Sequence, residues 1–101
     1  MVNQNKYERP LFVIYDISSN KIRKKVFEAC EDFGLVSVQY STFFGFLDST
    51  KKKELVHRIK RIISKEEGNF IFIPLEKNQL KKIKSKGNNL GITQTPMIKF
   101  L

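Results

Sequence analysis

Asp16 stands at the end of the run Leu11 to Ile17 (Leu-Phe-Val-Ile-Tyr-Asp-Ile), a carboxylate in an otherwise apolar and aromatic segment. Two uses suit such a group. It can cap backbone N–H groups of the turn that follows. It can also bind Mg²⁺ or Mn²⁺ facing a phosphodiester, because these ions take one or two carboxylates together with substrate oxygens and water. No second acid is near in sequence, since Ser18 and Ser19 follow and Glu8 lies well before. A two-fold homodimer supplies one by bringing two copies of Asp16 to its axis.

Lys21, Arg23, Lys24 and Lys25 crowd the start of the next segment, whereas Glu28, Glu31 and Asp32 come later. This order opposes the helix dipole and costs stability. It suits a helix start that holds an anion such as a phosphate, and otherwise it is a solvated face. Tyr15, Tyr40 and Phe43 can stack on bases, although in a chain with nine Phe the core reading comes first. His57 has no Cys or Asp at ligand spacing and reads as a surface or boundary histidine. No Ser-His-Asp arrangement and no phosphate-binding glycine loop is legible, and the aromatic string of an RNA-recognition-motif sheet is missing. Cys30 is the only cysteine, which excludes a disulfide within the chain and a thiolate metal cluster.

The elements that position these groups follow from periodicity. Leu11 to Ile17 is too short for a helix and too uniformly apolar for a surface strand, so it reads as a central strand buried on both faces. Ser18, Ser19 and Asn20 are cap residues, and Ile22, Val26, Ala29, Cys30 and Phe33 repeat at helical spacing until Gly34. Val36, Val38 and Tyr40 alternate with polar residues as a half-buried strand, and Phe43 to Leu47 forms another, the two making a hairpin or a bulged pair. Asp48 to Thr50 caps a second helix carrying Leu55, Val56, Ile59, Ile62 and Ile63 through Ser64, and Phe70 to Leu75 is a fourth strand ending near Pro74. The order β-α-β-β-α-β predicts an α+β, ferredoxin-like fold: a four-stranded antiparallel sheet with both helices on one face. Aromatic and branched residues at both alternating positions imply that the other face is covered, most simply by a second copy of the chain.

At 101 residues, 41% of them apolar, the chain makes one domain with a modest core. We place the ferredoxin-like domain at residues 1–78 and a basic tail at 79–101, with a short helical turn at Gln79 to Ile83 and an apolar end, Met97 to Leu101, able to act as an added strand. No apolar run approaches the roughly 20 residues of a membrane span, and Met1 to Pro10 is polar. The expectation is a soluble, cytoplasmic protein with no membrane partner. Formal charge is +9, concentrated in Lys51 to Lys65 and in Glu76 to Leu101. On so small a domain it favours nucleic acid, bound more weakly as salt rises.

Tyr15-Asp16-Ile17-Ser18, Arg23 seven positions after the Asp, Gly34-Leu35 and Gln39-Tyr40-Ser41-x-Phe43-x-Gly45 stand in one order. Together they resemble the CRISPR-associated protein 2 family, small core adaptation proteins of prokaryotic immunity. The likeness runs from about Leu11 to Leu75. It implies a ferredoxin-like homodimer with sheets face to face and the C-terminal segment pairing onto the partner subunit. It further implies a metal-dependent endonuclease acting on single-stranded RNA or double-stranded DNA, with Asp16 as the catalytic Mg²⁺ (or Mn²⁺) ligand and Tyr15, Arg23, Lys25 and Phe43 at the nucleic acid. The alternative it carries is a non-catalytic scaffold that holds duplex DNA for the CRISPR adaptation integrase. Two positions depart from the pattern: Ser37 where many members have Arg, and Lys25 at the second basic position of the first helix. The same element order also resembles a metal-independent, toxin-like ribonuclease, virulence-associated protein D.

Overall fold

A computed structural model describes residues 6–63 and 68–84. The expected order is present: β1 (Arg9–Ile17), α1 (Asn20–Asp32), β2 (Val36–Gln39), β3 (Thr42–Leu47), α2 (Ser49–Ile62) and β4 (Gly68–Pro74), followed by a 3-10 helix over Lys77–Lys82. The strands form one sheet in the order β2-β3-β1-β4, with β1 antiparallel to both β3 and β4 and β2 antiparallel to β3. The ferredoxin-like reading is therefore correct. The expected strand at Met97 to Leu101 lies outside the described residues.

β1 is central, and its alternation organises the molecule. Leu11, Val13, Tyr15 and Ile17 are buried beneath the helices in one cluster with Val26, Ala29 and Cys30 of α1, Phe43 of β3, and Leu55 and Ile59 of α2. Each helix begins at a side-chain cap. The Ser19 hydroxyl accepts from the Ile22 N–H at 3.2 Å, and the Asp48 carboxylate accepts from the Lys51 N–H at 2.8 Å. Such caps satisfy donors that have no helical partner and contribute about 1 kcal/mol each. Gly34, at φ +82°, turns the chain out of α1. An ion pair of 2.7 Å between Arg58 of α2 and Asp32 of α1 ties the two helices together.

The other face divides in two. Near one end, Val38, Phe44 and Phe46 are covered by Leu80 of the 3-10 helix, with Phe12, Leu75 and Ile83 packed around them. Leu80 is fully buried. The domain edge expected at residue 78 thus falls within an element that closes part of the sheet. The rest of this face is bare: Ile14, Ile71 and Ile73 are 37%, 55% and 37% exposed. Tyr40 departs from the expected strand pattern. The β2–β3 pair has an irregular register between Ser37 and Gln39, and Ser41 adopts φ +56°, so Tyr40 sits in the turn at 81% exposure.

Two acidic protons lie inside the helix-covered core. Burial pushes the Cys30 thiol up to about 12, against a smaller pull from Arg58. Burial also pushes the Tyr15 hydroxyl up to about 12, reinforced by Cys30 and opposed by Arg23. Above the ordinary values of 9.0 and 10.0, the unfolded chain releases protons that the folded chain keeps. Their contribution is therefore complete below pH 9 and lost as pH climbs to about 12. Denaturant midpoints measured across this window should fall steadily, and Cys30→Ala should flatten part of the decline. Leu80→Ala, which opens the packing over Phe44 and Phe46, should cost about 2–5 kcal/mol in urea unfolding; a loss below 0.5 kcal/mol, on the scale of an ordinary surface change, would show that the 3-10 helix does not hold the sheet face.

Candidate nucleic-acid interface

The alternation that builds the core also separates the predicted site residues. Asp16 is exposed and follows the even-numbered register of Phe12 and Ile14, so its carboxylate belongs to the uncovered face. Its register partner across to β4 is Asn69, also exposed. Among the described residues the Asp16 carboxylate has no hydrogen bond and no ion pair, so it caps nothing within them. Gly68 fixes the strand end here. Its φ is +147°, and a Cβ at this position would collide with the Asp16 carbonyl and lie 2.9 Å from the Ile17 Cα.

Tyr15 points the opposite way, is 4% exposed, and stacks on Phe43 at a ring separation of 6.4 Å. Phe43 is fully buried and meets Phe27 edge to face at 4.9 Å. The expectation that Phe43 touches nucleic acid is corrected by this burial: the ring holds Tyr15 and α1 in place and presents no surface. Arg23 is half-buried, donates to the Ile17 carbonyl at 2.9 Å and to the Asn20 side chain, and lies over the Tyr40 ring at 5.9 Å. It locks the start of α1 to the end of β1. Lys25 is exposed on α1.

The surface of α2 is strongly basic. Lys51, Lys53, Lys60 and Arg61 are exposed on α2, and the acids near them are few: Glu54 pairs with Lys51 at 3.7 Å, and Asp32 engages Arg58. His57 is exposed between these cations. Sequence periodicity missed two surface groups. Phe27 is off the apolar stripe of α1 and 37% exposed, a position where a Phe is itself a signal. Asn69 is paired to Asp16 only by the β1–β4 register, which no local pattern reveals. No group of three or more His, Cys, Asp or Glu side chains converges among the described residues, and no helix among them is long and apolar enough to cross a membrane.

Comparison with known proteins places the fold in a family. The family model described as CRISPR associated protein Cas2 matches residues 10–83. A CRISPR-associated endoribonuclease Cas2 of Desulforudis audaxviator is 45% identical over 82 residues, which are 81% of this chain and 77% of that protein. A CRISPR-associated endonuclease Cas1/endonuclease Cas2 fusion of Thermoproteus tenax is 29% identical over 70 residues, 69% of this chain and 26% of the fusion. Among solved structures, Streptococcus pyogenes Cas2 superposes with a TM-score of 0.68 at 25% identity, covering 77% of this chain and 99% of that one. A family match that begins on β1 and ends just past the 3-10 helix spans the whole described sheet with its strand-end aspartate, and on it this chain belongs to the CRISPR-associated protein Cas2 family.

Proposed function

We propose that this protein is a metal-dependent endonuclease of CRISPR defence, hydrolysing phosphodiester bonds in single-stranded RNA or duplex DNA as a homodimer. The observation that carries the reading is the Asp16 carboxylate, without a partner among the described residues, on a bare apolar face. Covering Ile14, Ile71 and Ile73 with a second copy removes them from water, a favourable step of roughly 25 cal/mol per Å² of apolar area. The same step brings two Asp16 carboxylates toward one another, and their like charges repel unless a cation lies between them.

One chain offers Mg²⁺ a single carboxylate, which is not a site. Two copies, with phosphate oxygens and water, provide the oxygen donors that Mg²⁺ takes. The ion's contribution when bound is to neutralise charge developing on the phosphate and to lower the pKa of a water. The chain's own residues do the rest. Asp16 holds the acidic position, Gly68 sets the backbone beside it, and Lys25 with the α2 lysines attracts the phosphate backbone. Arg23 keeps β1 and α1 in register.

A second reading, a duplex-binding scaffold of the adaptation integrase, is favoured by the exposed cations of α2 and by the fused Cas1 and Cas2 of the Thermoproteus tenax relative. The two readings share the basic surface and differ at Asp16.

Asp16→Asn should abolish Mg²⁺-dependent cutting of RNA and DNA while leaving salt-sensitive binding within twofold; equal cutting by the variant would sink the nuclease reading and leave the scaffold. In sedimentation with EDTA, the same variant should dimerise more tightly than the parent, and Mg²⁺ should tighten the parent alone. Replacing Lys53, Lys60 and Arg61 together by Gln should reduce the slope of log affinity against log salt for duplex DNA by up to about 2.7, some 0.9 for each phosphate no longer neutralised. An unchanged slope would remove α2 from the interface.

A further inference from the structure

Asn20, Arg23, Lys24 and Phe27 recur at i, i+3, i+4 and i+7, which puts them on one face of α1. This face and the β2–β3 hairpin border a cleft of about 360 Å³, lined by Ser37 of β2, Tyr40 of the turn and buried Tyr15. Asp16 does not line it. The cleft lies with the helix-covered side of β1, so it is a separate place from the carboxylate on the open face.

Three features of the cleft exceed what the fold requires. Tyr40 is 81% exposed, belongs to neither core cluster, and is held by the Arg23 guanidinium over its ring. Phe27 leaves 37% of its surface in water although its inner edge packs on Phe43. Lys24 is exposed at the rim, and no carboxylate lines the cleft. Aromatic walls, a cationic rim and no acid complement a nucleotide: a base is a flat π surface that stacks on such rings, and its phosphate is drawn to the cation. A paired base inside a duplex has both faces occupied by its neighbours and cannot enter.

We propose that this cleft binds one unpaired nucleotide, its base against Tyr40 and Phe27, its phosphate at Lys24 and its base edge toward the Ser37 hydroxyl. The inference rests on the nucleic-acid reading above and deepens it. It assigns the protein a site for single-stranded substrate or for the unpaired end of a duplex. Arg23 is a positioning residue here: it donates to the Ile17 carbonyl and to the Asn20 side chain, and its flat face steadies the Tyr40 ring.

The chain contains no tryptophan, so Tyr40→Trp places a single reporter in the cleft. Titrating this variant with a short single-stranded oligonucleotide should quench its emission, and a blunt duplex bound to the same extent should leave it nearly unchanged. Tyr40→Ala should weaken single-strand binding by about tenfold, with Tyr40→Trp restoring it, and should leave blunt-duplex affinity within twofold. Because Tyr40 is exposed in a turn, its replacement spares the core, and unfolding midpoints of both variants should match the parent. Equal losses on both substrates, or an emission that neither nucleic acid moves while both bind, would overturn the cleft and leave the general reading standing. Failure of the parent protein to bind either substrate would overturn both.

Discussion

The alternation of β1 is the constraint on which the rest depends. A central strand pleats with a period of two, so each successive residue goes to the opposite side of the sheet. Leu11, Val13, Tyr15 and Ile17 go under the helices, and Phe12, Ile14 and Asp16 go to the other face. A one-residue slip would invert every assignment, and it is resisted by the fully buried Leu11 and Val13 packed with α1 and α2. The same constraint gives the molecule two chemically different places at one end of the sheet. One is a carboxylate on an apolar surface, and the other is an aromatic cleft edged with cations.

The two faces are completed in different ways. On the helix side the chain closes its own core, and the Asp32–Arg58 pair and two side-chain caps refine the fit. On the open side, the 3-10 helix covers only Val38, Phe44 and Phe46, and the isoleucines around Asp16 stay in water. A domain of this size that leaves branched apolar side chains bare has unused burial energy. A second copy is the simplest partner, and it would meet the carboxylate at the place where burial is most favourable.

Charge acts on a longer scale. The +9 of the whole chain favours polyanions without choosing among them, and under the proposed function the exposed cations of α2 would track a backbone regardless of sequence. Discrimination requires shaped contacts. Single-strand preference would arise from stacking at Tyr40 and Phe27, and cleavage from what gathers at Asp16. The Arg23 guanidinium links the two places, because it is anchored on the carbonyl of Ile17 beside Asp16 while its face supports Tyr40.

Much of this is legible in the sequence. Apolar periodicity located all four strands and both helices, because burial imposes periods of 2 and 3.6 on residue choice; Asp16 stood out as the polar exception in a buried run, and Ser19 and Asp48 announced the helix starts. Tertiary structure alone decided which side chains meet. The family resemblance puts Phe43 at the nucleic acid, whereas composition favours a core role, and β3 packs it between Tyr15 and Phe27. Tyr40 fitted a strand pattern and is a turn residue, because the β2–β3 register slips just before it. Arg23 reads as a phosphate contact, and two of its donors also bond to the Ile17 carbonyl and the Asn20 side chain. Leu80 lay in a segment read as tail and seals one end of the sheet. Local sequence carries the period of an element, whereas the identity of its neighbours depends on register and on contacts between distant segments, and these are fixed only when the sheet and helices pack together.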